Sequence, residues 1–345
     1  MKIVVDDKIP YILPALHALA DDVVVKAGAA ISPSDVHDAT ILVVRTRTRC
    51  DRALLDGSSV RLVVTATIGF DHLDTAYLDA AGIEWHNCPG CNATSVAQYV
   101  ASSLLVLHRE RGLDLSGSTL GIVGVGHVGT AVVTAARRLG VGRLLLNDPP
   151  RESAGDRLPG AIPWTPLAQL LAEADIISLH TPLTTAAPYP TRHLIDADAF
   201  RLMRRRPVLI NAGRGGLVDE EALLAAMATG AVGDVVLDTW EGEPHIRRDL
   251  LNKVYIGTPH IAGYSADGKA NATRMALTAI CRYLGRPMTF DITPPSLPEG
   301  TVTATAPDDV ALQLYDPRRD SSLLKASPET FEQQRGSYPL RRERV

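Results

Sequence analysis

Short apolar runs recur along this chain, separated by stretches whose apolar residues return at helical spacing. Lys2–Asp6, Val23–Lys26, Ile41–Arg45, Arg61–Thr65 and Gly82–His86 read as a first set of strands, with Pro10–Ala20 and shorter helical patterns between them. Such alternation implies βαβ units and a parallel sheet. Ser95–Arg111 then runs as one long helix with Ser95 as its expected cap, so a second sheet should follow rather than extend the first. Its strands are Thr119–Val123, Arg143–Asn147, Asp175–His180, Pro207–Asn211, Asp234–Asp238 and Val254–Ile256. Helical runs lie between them, among them Thr130–Leu139, stopped by Gly140, and Asp219–Ala228 with Asp219 as cap. Ser265–Leu284 is a further long helix, expected to return to the first domain and close it with residues from both ends of the chain. A cleft between two domains hinged by two helices is the expected result.

Beyond Pro287 the texture changes. Asp291–Gly300 (DITPPSLPEG) reads as a linker, and Thr301–Ala306 alternates like an exposed strand. Asp308–Tyr315 and Glu329–Gly336 read as helices. This segment is too small and too poor in apolar residues to hold a core alone, so it must pack on its own chain or on a second subunit.

With 345 residues, 46% of them hydrophobic and 21% charged, the chain has the makings of two or three globular domains with substantial cores. A formal net charge of −4 gives no surface for polyanions, so no nucleic-acid partner is expected. No apolar run reaches the roughly 18 residues of a membrane span, and MKIVVDDK is not a secretory leader. With only four cysteines, a reducing, cytoplasmic compartment is expected. Cys88-Pro-Gly-Cys91 lacks the second ligand pair of a structural zinc site and does not open a helix as a redox motif does, so it reads as a turn; no metal is expected.

Gly124-Val125-Gly126-His127-Val128-Gly129 follows a strand and opens a helix, and the next strand ends in Asp148, about 20 residues further on. Each part suits a dinucleotide. Gly124 permits the tight turn, Gly126 lets backbone approach a pyrophosphate, and Gly129 lets the helix pack on the strand. The N–H groups at His127 and Val128 face the phosphates, and Asp148 accepts from the ribose hydroxyls. Pro149-Pro150 leaves little room for a 2′-phosphate, which favours NAD, although Arg151 is close by. Arg214 (Asn211-Ala-Gly-Arg-Gly215), Glu243 (Gly242-Glu-Pro244) and His260 (Thr258-Pro-His260) all follow strands of the second sheet, where ligands of open α/β sheets bind.

The glycine motif with its downstream acid, N-A-x-R-G, G-E-P and T-P-H together resemble the NAD-dependent D-2-hydroxyacid dehydrogenases over about residues 1–285. One branch of that family is similar over Met1–Tyr11, Thr65–His72, Pro89–Ala93, Asp148–Arg151, Gly257–Tyr264 and the tail Leu314–Asp320. In that branch a C-terminal dimerisation domain occupies the place of the tail, the substrate is a phosphorylated hydroxy acid, and the chain usually runs on somewhat beyond Arg344. The resemblance implies two doubly wound parallel-sheet domains, a Rossmann cofactor domain (99–259) inserted in a flavodoxin-like substrate domain (1–98 with 260–285). A small C-terminal α+β dimerisation segment (286–345) completes it.

The same resemblance implies His260 as general acid/base, Glu243 as the group that holds its tautomer, and Arg214 as a fork on the substrate carboxylate. Histidine's near-neutral ordinary pKa and the planar guanidinium suit those roles. Thr181, Asp238 and Gly263 are implied on the nicotinamide side, and Thr46, Thr67 and Tyr264 at the substrate. Arg45, Arg47 and Arg49 alternate, and either bind a substrate phosphate or form a solvated edge. The implied partners are the substrate and a second copy of the chain. Within the family, enzymes acting on 3-phosphoglycerate or glyoxylate are the alternative; outside its chemistry, an NAD-sensing corepressor-like binding protein is.

Overall fold

Residues 1–157 and 162–344 are described by the computed structural model; Val345, the last residue of the expected C-terminal segment, lies outside them. They group into two units, Met1–Asn92 with Ser265–Ser296 and Ala93–Tyr264 with Leu297–Val345.

The first unit holds β1 (Lys2–Asp6), β2 (Asp22–Lys26), β3 (Ile41–Val44), β4 (Leu62–Thr65) and β5 (Glu84–His86). They pair in the order β2-β1-β3-β4-β5, every neighbour parallel, which is the flavodoxin-like order. Period-two geometry sends Ile3, Val5, Ile41, Val43, Leu62 and Val64 to one core and Val4, Leu42, Val44 and Val63 to the other. The helix Ala266–Tyr283 fills the first of these with Ala270, Ala276, Leu277 and Ile280. Ser265 caps it by accepting the Gly268 N–H, and Thr273 Oγ1 donates to the Pro10 carbonyl. Each such buried Val, Leu or Ile stabilises by about 1.5–3 kcal/mol.

The second unit holds β6 (Thr119–Val123), β7 (Arg143–Asn147), β8 (Ile176–Leu179), β9 (Val208–Asn211), β10 (Val235–Leu237) and β11 (Ile256–Gly257), ordered β11-β10-β9-β8-β6-β7 and all parallel. β7 lies on one side of β6 and β8 on the other, so the order reverses at β6. In open α/β sheets ligands bind at such a switch point, outside the carboxyl ends of the strands. Leu209, Val235 and Leu237 face one core; Ile176, Ile210 and Val236 face the other.

The C-terminal residues complete both cores of this unit. Leu312 and Tyr315 enter one, Leu324 and Phe331 the other. They come from helices Pro307–Leu314, Pro317–Ala326 and Phe331–Gly336 and the turn after the first. Three expectations change here. Residues 301–306 are not a strand: the Thr303 and Ala304 N–H groups both donate to Gln313 Oε1, so the side-chain amide takes the place of a ladder partner. Pro317–Ala326 is an additional helix, capped by Asp316, which accepts the Arg318 N–H. The helix Ala93–Arg111 begins before Ser95, whose hydroxyl donates to Glu343 Oε1 at 2.6 Å instead of capping. Among the described residues no helix is long and apolar enough to cross a membrane.

Candidate active site

The glycine turn leaves β6 with Gly124 at φ +84°, a left-handed conformation that disfavours a side chain. At Gly129 a Cβ would lie 2.1 Å from the Gly124 carbonyl oxygen, so close packing of the turn on its helix requires glycine. Gly126 differs from both. Among the described residues a Cβ there would meet nothing within 4 Å, so they do not demand glycine; the open space suits a ligand pressed against the backbone. Gly126 also caps the helix His127–Arg138 with no side-chain oxygen, which leaves the first-turn N–H groups of His127 and Val128 for an anion. Asp148 follows β7. Its Oδ2 accepts the Val125 N–H at 2.8 Å and its Oδ1 the Arg151 N–H at 3.1 Å, so the carboxylate stands against the glycine turn with a lone pair on each oxygen to spare. Arg151 is committed elsewhere, to the Val125 carbonyl at 2.5 Å and Asp156 at 2.9 Å.

After β8, Thr181 Oγ1 is buried with no hydrogen-bond partner among the described residues, an orphaned hydroxyl beside Gly124. Its neighbour His180 bonds Ser178 through Nε2, and burial pushes its pKa down to about 3, so it stays neutral. After β10, Asp238 accepts from Thr258 Oγ1 (2.7 Å) and from the Ile261 and Ala262 N–H groups (2.8 and 2.9 Å). Burial holds its carboxyl above the usual range despite the nearby His260 and these bonds. Asp238 thus fastens the loop that follows β11. Gly263 lies inside a turn of that loop, closed by the Tyr264 N–H on the Ile261 carbonyl.

Glu243 and His260 meet there. Glu243 Oε2 lies 2.8 Å from His260 Nδ1, and Oε1 accepts the Trp240 N–H at 2.9 Å. Burial pushes Glu243 up, but the hydrogen bond and charge of His260, the Trp240 N–H and the charge of Arg335 outweigh it and hold the carboxyl below its ordinary value. A carboxylate only accepts, so Nδ1 must carry the proton, and the neutral imidazole presents its lone pair at Nε2. His260 sits at φ +53°, a sparsely populated conformation that its surroundings must enforce. The Arg214 loop leaves β9. Asn211 stitches it, with Nδ2 donating to the Arg214 carbonyl and Oδ1 accepting the Gly213 N–H. Arg214 Nη1 donates to the Gly213 carbonyl at 2.9 Å, which sets the plane of the guanidinium. A Cβ on Gly215 would come 1.9 Å from the Trp240 carbonyl, so this loop presses on the segment that leads to Glu243.

Thr46 and Thr67 belong to the first unit. Thr46 is exposed in the turn after β3. Thr67 Oγ1 donates to the Gly69 carbonyl at 2.8 Å and so accepts from Thr65 Oγ1 at 2.7 Å. Thr65 in turn accepts from His72 Nε2, leaving Thr67 a lone pair for a further donor. Arg45 donates to the Lys8 carbonyl, and Arg49 pairs with Asp51. Cys88 and Cys91 are buried, and desolvation pushes both thiols up to about 12, which is inert packing chemistry rather than redox or ligand chemistry. Among the described residues no His, Cys, Asp or Glu group could hold a metal ion.

Sequence reasoning assigned no role to Asn211, Trp240, Thr258 or Tyr99. Trp240 Nε1 donates to the Thr258 carbonyl, and the Tyr99 hydroxyl donates to Thr258 Oγ1, whose own proton goes to Asp238. Asn211 stands in the N-A-x-R-G pattern and was open to assignment. Tyr99 falls on an apolar helix face and carries no local signal.

Residues 95–262 match the model of the D-isomer specific 2-hydroxyacid dehydrogenase NAD binding domain. Over 343 residues the chain is 49% identical to an erythronate-4-phosphate dehydrogenase of Bacteroides fragilis, covering 99% of this chain and 97% of the relative. It is 50% identical, with the same coverage, to that of Bacteroides thetaiotaomicron. Among solved structures, a D-lactate dehydrogenase of Aquifex aeolicus, complexed with NAD and lactic acid, shares the fold. Its TM-score is 0.65 at 23% identity, over 83% of this chain and 96% of that one.

Proposed function

The chain belongs to the erythronate-4-phosphate dehydrogenases, within the D-isomer specific 2-hydroxyacid dehydrogenases, and on that premise we propose how its residues carry the reaction. The reaction is oxidation of 4-phospho-D-erythronate to (R)-3-hydroxy-2-oxo-4-phosphobutanoate with NAD, a step of pyridoxal 5′-phosphate biosynthesis. The observation that carries the assignment of roles is the Glu243–His260 pair at 2.8 Å, in a loop pinned by Asp238.

NAD, when bound, supplies the hydride acceptor. The residues present fit it: open space at Gly126, uncapped N–H groups at His127 and Val128, Asp148 for the ribose, and the orphaned hydroxyl of Thr181. Asp238 and Gly263 shape the nicotinamide side through the loop they build. NAD rather than NADP is supported by Asp148, whose charge repels a 2′-phosphate, and by the commitment of Arg151 to Val125 and Asp156.

His260 Nε2 takes the C2 hydroxyl proton during oxidation and returns it in reduction. Glu243 holds Nδ1–H and stabilises the imidazolium that forms. Arg214 forks onto the substrate carboxylate and polarises the C2 oxygen. Thr46, Thr67 and Tyr264 contact the rest of the substrate, Thr67 as an acceptor for one of its hydroxyls. In domain terms, residues 1–98 with 260–285 serve the substrate and 99–259 the cofactor, while 286–345 serve self-association. A homodimer suits the exposed Leu323 and Leu340 of the last segment, and a cytoplasmic setting suits four buried thiols, all free.

Turnover measured on 4-phospho-D-erythronate against D-erythronate, 3-phosphoglycerate and glyoxylate tests the reading. The first should exceed the others in kcat/KM by about 10²-fold or more. Equal or greater activity on an unphosphorylated acid refutes the substrate, and binding of a peptide without turnover on any acid refutes the enzyme.

A further inference from the structure

The loop that bears His260 is held from two sides. Asp238 grips its Ile261 and Ala262 N–H groups from β10. The other grip comes from the last residues of the chain. Arg341 is 3% exposed, and all three of its nitrogens donate to protein. Nε reaches Gln98 Oε1 at 2.9 Å, Nη2 the Ser95 carbonyl at 2.7 Å, and Nη1 the Ile261 carbonyl at 3.3 Å. The guanidinium carbon lies over the Tyr315 ring, 3.6 Å from its centre. Its neighbourhood is a closed polar network. Tyr315 and Tyr338 both donate to the buried Asp320, Gln98 donates back to the Arg342 carbonyl, and Tyr338 meets Tyr264 edge to face at 5.8 Å. A buried arginine in such a setting is costly unless it is hydrogen-bonded, and here each nitrogen has a partner.

The Ile261 carbonyl is one residue beyond His260. It accepts both the Tyr264 N–H and Arg341 Nη1, so a residue near the end of the chain helps to fix the turn that follows an imidazole held at φ +53°. We infer that Arg341 is a positioning residue for the acid/base: it acts through Ile261 to hold the His260 imidazole in register with Glu243. The C-terminal segment is thereby part of the reaction machinery of its own subunit, apart from any role in self-association. Misplacing a reacting group by about 1 Å lowers turnover by about 10²-fold, whereas binding of a cofactor held at the glycine turn does not depend on this loop in the same degree.

The inference rests on the reading of His260 as acid/base. Steady-state kinetics of the full-length protein and of Arg341→Met, with NAD affinity measured separately, test it. Arg341→Met should lower kcat by about 10- to 100-fold while KM for the hydroxy acid and the NAD Kd stay within about threefold, and Arg341→Lys should regain part of the loss. A loss confined to thermal stability, or a rise in KM and Kd with kcat intact, overturns the inference. Should Arg341→Met not fold, Gln98→Leu removes the Nε acceptor and leaves the arginine in place; a several-fold fall in kcat at constant KM supports the inference, and an unchanged kcat sinks it. A parent protein without turnover on any hydroxy acid overturns the acid/base reading and this inference together. An active parent with indifferent variants overturns this inference alone.

Discussion

Glu243→Gln is the sharpest probe of the site, because it changes hydrogen-bond polarity at almost constant shape. In the parent both carboxylate oxygens accept, one from Trp240 N–H at 2.9 Å and one from His260 Nδ1 at 2.8 Å. An amide has a single acceptor. If its oxygen stays with Trp240, its NH₂ group faces Nδ1, which must then accept. The imidazole proton moves to Nε2, and the base is lost. If the oxygen turns to His260 instead, donor meets donor at Trp240, and the unmade bond costs about 1–3 kcal/mol in this largely buried position. The charge-assisted bond to the imidazolium is lost in both orientations, about 1.5–3 kcal/mol or roughly a 10- to 100-fold rate effect. Adding the wrong tautomer brings the expected fall in kcat to about 10³–10⁴-fold. Initial rates followed by nicotinamide absorbance, with NAD affinity measured by calorimetry, read this out; the affinity should hold. A folded variant with kcat within about threefold of the parent would show that Glu243 does not govern the protonation of His260.

Other substitutions separate the fold from its chemistry. Gly126→Ala should unfold at the same temperature as the parent yet lose NAD affinity by at least about 10-fold, since its Cβ meets nothing within 4 Å among the described residues, whereas Gly129→Ala should lower stability by about 1–3 kcal/mol in a denaturant titration. Asp148→Ala should raise KM for NAD and remove discrimination against NADP, and it should lower stability by about 1 kcal/mol through the lost Arg151 cap. Arg214→Lys should cut kcat/KM by about 10²-fold in the substrate panel, because an ammonium cannot fork onto a carboxylate. Glu220 is buried, and desolvation raises its carboxyl to about 6 from 4.5. A raised acid stabilises the fold below its unfolded pKa and loses that contribution as pH rises through about 6, so Glu220→Gln should be the more stable protein at neutral pH by up to about 2 kcal/mol, with the gap closing below pH 4.5.

Both sheets are legible in the chain because a strand covered on two faces reads as a near-continuous apolar run: β3 is wholly apolar, and β4, β6, β8 and β9 each carry a single Thr, Ser or Asn. The glycine turn was legible because Gly124 and Gly129 answer local steric demands. Arg214, Glu243 and His260 were found through short motifs, each just beyond a strand. The tail is less legible. Alternation over residues 301–306 describes a segment suited to a pleat but does not supply a neighbouring strand, and a single glutamine took both N–H groups. Nothing local in Arg341-Arg-Glu-Arg344 tells that Arg341 alone of its arginines is buried. Its partners at Ser95, Gln98 and Ile261 are set by folding of distant segments, which no window of sequence encodes.

The path of the chain through its two units also bears on synthesis. Each unit is assembled from two separate stretches, and the second draws on residues 297–345 only after the first has been closed by 265–296. On a ribosome, therefore, neither unit can close until its later stretch has emerged, and the seats of Leu312, Leu324 and Phe331 stay open until those residues arrive. Such a layout delays closure of either unit during synthesis and leaves apolar surface bare meanwhile.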